Sequence, residues 1–441
     1  MNFVSTRDIE GPKVSFFDAL FQGLAPDGGL YQPVDEPDLR ALVRSLGADA
    51  SFLDVAGAMI QGLFGEEYDA AGARDLAARA FPFEPRLQPL EEGIEILELF
   101  HGPSCAFKDF GAGFLAATME TVIQCRGGRA VVLTATSGDT GSAVAQAFHQ
   151  RENIDVVILY PSGRVSPLQE RQLTTLGGNV HALEVRGSFD DCQRMVKEAF
   201  QERSIADSVP LTSANSINVG RLLPQSLYYL WAFAQRKEAL EDELSFCVPS
   251  GNFGNLTAGI LAWRWGMAVK GFIAATNAND VVPEYLRTGV FTPRESIPTL
   301  ANAMDVGNPS NFERLAHIFS GIDPTTLLTG GAVSDEQIRS TMKDVYERHG
   351  MLVCPHTATG IHVAREVRSP GGPGSSGSGS GDERIITLAT AHPAKFLEVI
   401  KDAVGVDAEV PERLARLMHL PKVSHLVDPT VGALGEFLHS L

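Results

Sequence analysis

The sequence predicts an α/β protein: open, mainly parallel sheets with helices on both faces, preceded by a helix-rich N-terminal region. Two observations carry this. From residue 94 onward, short apolar runs bounded by turn residues alternate with amphipathic stretches, as covered parallel strands require. Loops rich in glycine, asparagine and hydroxyl side chains fall where strands should end, and open parallel sheets bind ligands beyond those ends.

Taken in order, Ala130–Thr136 reads as a strand and Ser142–Gln150 as the helix after it. Val156–Tyr160 and Val180–Val185 are further strands, with a helix between them over Leu168–Leu176. A helix then starts at Ser188, with Asp191 at the third helical position, and buries Phe189, Cys192, Met195, Val196, Ala199 and Phe200. Strands are predicted at Leu244–Val248, Lys270–Ala275, Met351–Cys354 and Arg384–Ala389. Ser334 and Gln337 form a capping-box pattern ahead of a stripe of Ile338, Met342, Val345 and Tyr346. The expected organisation is a helix-rich region over 1–94, a large α/β domain over 95–129 and 216–441, and a small α/β domain over 130–215. The Gly/Ser-rich stretch 369–382 cannot bury a core and is expected to be a flexible surface loop.

A chain of 441 residues with net charge −18 is a poor match for nucleic acid or an anionic membrane, so no partner of either kind is expected. Any anionic ligand must be drawn by a local site. Five scattered cysteines without a Cys-x-x-Cys suit reduced thiols. No run approaches a membrane span and the N-terminus has no signal-peptide core, so a cytoplasmic protein is expected. The 11 histidines show no metal-binding spacing, and no metal is expected.

Only nine of the 36 basic residues are lysines, and Lys108 lies between Phe107 and Phe110 with glycines at 111 and 113. An apolar setting lowers a lysine's pKa from about 10.4, which makes its amine a candidate for Schiff-base chemistry, usually with pyridoxal phosphate. A surface lysine snorkelling from a helix start is the alternative. Ser250-Gly-Asn-Phe-Gly-Asn255 follows a strand and opens a helix, so its N–H groups can converge on a phosphate. Thr136-Ser-Gly-Asp-Thr-Gly-Ser142 occupies the equivalent place after an earlier strand and suits a carboxylate, or simply caps its helix. Asn215–Arg221 brings two amides and an arginine that forks onto oxyanions. Thr390-Ala-His-Pro-Ala-Lys-Phe396 ends the last strand and offers a neutral hydroxyl. Lys395 is a rival amine, with a solvated position one turn into a helix as the default. His356-Thr-Ala-Thr-Gly360 is a weaker strand-end candidate.

These stretches together resemble the threonine synthases, pyridoxal-phosphate enzymes of fold type II. The resemblance includes Ser5-Thr-Arg7, Gly23–Leu30, His101–Ser104, Phe107–Phe110, Thr134–Gly141, Gly163–Glu170, Ser213–Asn218, Ser250–Asn255 and Ala303–Arg314. It implies pyridoxal 5′-phosphate as cofactor, with Lys108 as the Schiff-base and catalytic lysine. Gly251, Asn252, Phe253, Gly254 and Asn255 would cradle the cofactor phosphate. Asp139 would lie beside the ring's 3′-oxygen, where relatives often have asparagine. Thr390 would face the pyridine nitrogen, with Thr357 as second choice. Ser137, Gly138 and Thr140 would hold the substrate carboxylate, and Asn218 and Arg221 the substrate phosphate. The reaction implied is O-phospho-L-homoserine and water to L-threonine and phosphate, in a monomer or homodimer. A phospholyase releasing 2-oxobutyrate and a catalytically silent cofactor binder are the alternatives.

Overall fold

A computed structural model describes residues 1–136, 138–237, 244–369 and 383–441. Two parallel sheets dominate. The larger has the order β12-β11-β10-β13-β5-β4, with β4 (Arg86–Glu91), β5 (Ile94–Glu98), β10 (Leu244–Pro249), β11 (Gly271–Thr276), β12 (Leu328–Ala332) and β13 (Arg384–Ala389). All its pairings are parallel except the edge hairpin of β4 with β5. The smaller sheet is wholly parallel, in the order β14-β8-β7-β6-β9. It comprises β6 (Ala130–Ala135), β7 (Ile154–Pro161), β8 (Val180–Val185), β9 (Leu211–Ser213) and β14 (His425–Val427). Strands β6 and β10 are buried at every position, the mark of sheets covered on both faces.

The N-terminal region is helix-rich as expected, with the helices Phe16–Gln22, Arg40–Ser45, Phe52–Leu63 and Ala70–Ala80, and it also holds short strands. Its helices are joined by a three-stranded antiparallel sheet of β1 (Asn2–Ser5), β2 (Val14–Ser15) and β3 (Tyr31–Val34). Strands of two to four residues are too short to show alternation. Arg314 ties this region to the rest: Nε donates to Tyr31 O at 2.9 Å, Nη2 to Ile217 O at 2.6 Å and Nη1 to Asn311 Oδ1 at 2.7 Å.

Two expectations are corrected. Met351–Cys354 is not a strand; it runs unpaired into the helix Pro355–Arg368, with Cys354 as N-cap. The strand over Leu328–Ala332 was hidden by its two glycines, which resemble a turn. The capping boxes at Ser188/Asp191 and Ser334/Gln337 are both present. Residues 370–382 of the Gly/Ser-rich stretch lie outside the described residues, as do 238–243. Strand β14 and the helix Val431–Ser440 pack on the smaller sheet, although the sequence boundaries put 216–441 in the large domain.

The helix Lys108–Arg126 runs through the centre of the main core, and its first residue is the predicted lysine. Phe110 meets Phe52, Phe81 and Tyr228 at ring-centroid distances of 5.3, 6.0 and 5.3 Å. A Cβ at Gly113 would come within 2.2 Å of Ala80 O, and one at Gly111 within 2.6 Å of Arg221 O. These two glycines let neighbouring backbones press against the helix start and fix the lysine's position.

Candidate active site

The strand ends converge on one cavity. It is lined by Phe107, Lys108, Asp139, Thr140, Ser216, Arg221, Gln225, Pro249, Gly251–Asn255, Ala303, Met304, His356 and Thr390. Pro249 and the loop after it end β10, Thr390 follows β13, and Asp139 and Thr140 follow β6. The segment before Lys108 runs antiparallel to the one after β13: Phe107 N–H donates to Thr390 O at 2.8 Å and His392 N–H to Cys105 O at 3.0 Å.

Lys108 borders the cavity with its ammonium 4.9 Å from the centroid of the Phe107 ring. Burial takes the amine down to about 8; the Asp139 charge opposes this, and the cations of Arg221 and Lys395 add to it. An amine at that value is neutral often enough near physiological pH to act as nucleophile and base.

The loop after β10 has the geometry of an anion cradle. Its residues lead directly into the helix Gly254–Arg264, and Phe253 adopts a left-handed conformation at φ 59° to make the turn. No backbone N–H of Gly251, Asn252, Phe253, Gly254 or Asn255 donates a hydrogen bond among the described residues. Five consecutive free N–H groups at a helix N-terminus favour a phosphate. Side chains hold the loop rigid. Asn252 Nδ2 donates to Ser216 Oγ at 2.9 Å while its Oδ1 accepts from Ser310 N–H at 2.6 Å. Asn255 Nδ2 donates to Pro249 O at 2.9 Å. A Cβ at Gly251 would fall 2.6 Å from Met304 Cα, so this backbone lies against its neighbour as only glycine allows. Three buried donors at or beside the cavity also lack acceptors among the described residues: Arg221 Nε, His356 Nδ1 and Asn311 Nδ2. An anionic, hydrogen-bond-accepting ligand such as pyridoxal phosphate fits this set of donors.

Thr136 shapes the loop after β6, its Oγ1 accepting from Gly138 N–H and Gly141 N–H, each at 2.9 Å. Thr140 and Asp139 face the cavity; Gly138 is packed instead against Gln169, whose side chain a Cβ there would strike at 2.5 Å. Ser137 lies outside the described residues. Arg221 lines the cavity, but its guanidinium also reaches the carbonyls of Ala214 and Lys108, placing a buried positive charge under the lysine. Asn218 is not among the lining residues. Its amide is spent on structure, donating to Leu20 O and Ser213 O at 2.9 and 2.8 Å and accepting from Gly220 N–H at 2.8 Å. Thr357, the second choice for the ring nitrogen, is turned toward Cys354 Sγ at 3.2 Å, whereas Thr390 borders the cavity.

Two residues weighed in the sequence and left outside the expected site belong to its surroundings. Lys395 is not solvated: its side chain is fully buried, with Nζ 2.7 Å from Asp139 Oδ1 and donating to Ser104 O at 2.9 Å. Burial alone would raise the Asp139 carboxyl, but the Lys395 charge and hydrogen bond outweigh it, aided by Gln169, and hold it at about 2. His356 accepts from Ala303 N–H at Nε2 (3.1 Å), which leaves its proton on Nδ1. Burial takes this imidazole down to about 4; Asp139 opposes, and Lys108 and Lys395 reinforce. No local pattern marks Lys395, because its partner is remote in sequence. His356 stood in a weak strand-end motif.

Residues 90–378 match the family described as pyridoxal-phosphate dependent enzyme, and the chain belongs to that class. Residues 2–81 match the threonine synthase N terminus and 357–438 the threonine synthase C-terminal region. The chain is 41% identical to threonine synthase of Serratia marcescens, across 97% of both chains, and 42% identical to that of Haemophilus influenzae, across 99% of both. The crystal structure of the Escherichia coli threonine synthase superposes with a TM-score of 0.90 at 38% identity, covering all of both chains. The pyridoxal-phosphate-bound threonine synthase of Brucella melitensis gives 0.91 at 36%, covering 100% of this chain and 99% of that one. Within the class, the chain is a member of the threonine synthase family. Among the described residues no helix is long and apolar enough to cross a membrane.

Proposed function

We propose that this chain converts O-phospho-L-homoserine and water into L-threonine and phosphate, with Lys108 as the catalytic lysine. The carrying observation is that the half-buried Lys108 borders the same cavity as a run of free N–H groups at a helix start. Bound pyridoxal phosphate supplies an electron sink for negative charge on substrate carbon atoms. The chain supplies the rest. Gly251 to Asn255 would hold the cofactor phosphate, and Thr390, which borders the same cavity, would offer its ring nitrogen a neutral hydroxyl. Lys108 Nζ takes a proton from substrate Cα and then one from Cβ; the electron pair left at Cβ expels phosphate from Cγ, Cγ and finally Cα are reprotonated from the same amine, and between those two steps water adds its hydroxyl at Cβ and gives up its proton. Thr140, with Gly138 and Ser137 in the same loop, is assigned to the substrate carboxylate. Arg221 favours the anionic substrate as a buried positive charge. Asn218, whose amide bonds the backbone of Leu20, Ser213 and Gly220, is assigned to position the turn that leads to Arg221. We propose a cytoplasmic setting, supported by the scattered cysteines, and action as a monomer or homodimer.

The test is incubation of the cofactor-loaded protein with O-phospho-L-homoserine, assaying phosphate, threonine and 2-oxobutyrate together, beside Lys108→Ala. Phosphate and threonine in equal amounts, both lost in the variant, are expected. Phosphate with 2-oxobutyrate would give a phospholyase, and no phosphate would sink the substrate assignment.

A further inference from the structure

The ion pair between Lys395 and Asp139 is enclosed by three segments. Lys395 comes from the turn Pro393–Phe396 after β13, Asp139 opens the helix after β6, and Ser104 lies on the stretch leading to Lys108. Asp139 Oδ1 receives Lys395 Nζ at 2.7 Å and Gln169 Nε2 at 2.9 Å. The lysine side chain has no exposed surface and the carboxylate side chain is 7% exposed, with Asp139 bordering the cavity that holds Lys108. The negative end of the pair therefore faces the Lys108 amine and the positive end faces away, toward Ser104 O. Among the described residues, the other charged or titratable groups around it are Arg221, His356 and Cys354 on the Asp139 side, and Asp109, Cys105, His392 and Arg413 around Lys395.

We propose that Lys395 is a positioning residue that forms one electrostatic unit with Asp139, a buried dipole whose negative end holds the proton on Lys108. A charge buried without its partner gives up or takes a proton rather than remain ionised. Loss of either member therefore neutralises the other. In the Asp139→Asn variant Lys395 releases its proton, and in Lys395→Met Asp139 takes one up. Both changes remove the same dipole and have the same effect on Lys108. Two independent charges would act with opposite signs: removing the carboxylate would lower the Lys108 midpoint, and removing the ammonium would raise it.

The inference rests on the assignment of Lys108, and the experiment separates the two. Competitive acetylation of the full-length, ligand-free chain between pH 6 and 11, read by mass spectrometry on the peptide containing Lys108, gives the midpoint of that amine. Pyridoxal phosphate should protect this peptide; failure to protect would overturn the Lys108 assignment and leave the dipole test standing. Asp139→Asn, Lys395→Met and the double variant should each lower the midpoint by the same amount, roughly one pH unit, with Lys395→Arg unchanged. A higher or unchanged midpoint in Lys395→Met would overturn the unit. Should that variant fail to fold, Asp139→Asn with Lys395→Gln replaces the pair by two neutral amides. A midpoint equal to that of Asp139→Asn alone supports the unit, and a higher one refutes it.

Discussion

Arg314 Nε donates to the carbonyl oxygen of Tyr31 at 2.9 Å, joining the N-terminal sheet to the loops that flank the phosphate cradle. Arg314 is 1% exposed, and its hydrogen-bond acceptors are the backbone carbonyls of Tyr31, Ser216 and Ile217 and the Asn311 amide. Truncation strands these acceptors in the interior. Arg314→Met is expected to cost about 2–4 kcal/mol, with Arg314→Lys also destabilising because an ammonium cannot reproduce the fork. Urea unfolding midpoints measure both; wild-type stability in the methionine variant would refute the anchoring role.

Gly251 and Gly254 differ in what surrounds them. A Cβ at 251 meets Met304 Cα at 2.6 Å, whereas one at 254 meets the Asn311 amide at 3.3 Å. Backbone cannot give way as a side chain can. Gly251→Ala should weaken cofactor binding at least about tenfold, and Gly254→Ala by clearly less. Equilibrium titration with pyridoxal phosphate ranks the two, and the reverse order would count against this account.

Phe253 sits at φ 59°, where a bulky residue is strained by about 1–3 kcal/mol, yet its ring is 2% exposed. Phe253→Gly relieves the strain and loses the buried ring, worth about 3–5 kcal/mol. A net loss of about 2 kcal/mol is expected, and a thermal melt showing the variant more stable would mean that strain is the larger quantity.

His356 makes stability fall in mild acid. Folded, its imidazole stays neutral down to about pH 4, while in the unfolded chain it takes a proton near 6.5. The unfolded state binds more protons in that window, so stability rises with pH from about 4 to 6.5 and is complete above it. The contribution is up to about 3 kcal/mol. His392, also lowered to about 4 by burial, acts in the same window. His356→Gln should therefore flatten part of this slope. Unfolding free energies at pH 4.5, 5.5 and 7 check it, an unchanged slope being the contrary result.

The parts of the fold and site readable in the sequence are those governed by neighbouring residues. Val180–Val185 announces itself through composition and bounding turns, and Ser188 and Asp191 through their spacing. Lys108 and the loop 250–255 stand out because each carries its own aromatic or glycine context. Lys395 was illegible: a lysine one turn into a helix is solvated unless something distant claims it, and Asp139 does so from the start of the helix after β6. Asn218 misled for the converse reason. An amide beside an arginine reads as a ligand group, but here it holds the backbone of Leu20, Ser213 and Gly220. Met351–Cys354 has a strand's composition, but no strand pairs with it among the described residues.

Strand β14 bears on the order in which the molecule is built. It pairs with β8 through His425–Val427, and the following helix inserts Leu434 and Leu438 beneath the smaller sheet. A ribosome makes β8 long before it makes β14. During that interval the β8 edge has an unpaired ladder, and the hydrophobic patch under it lacks its cover. The smaller sheet of a nascent chain is thus the last part of the core to be closed. An extension fused at Leu441 would burden the last step of maturation more than one placed ahead of Met1.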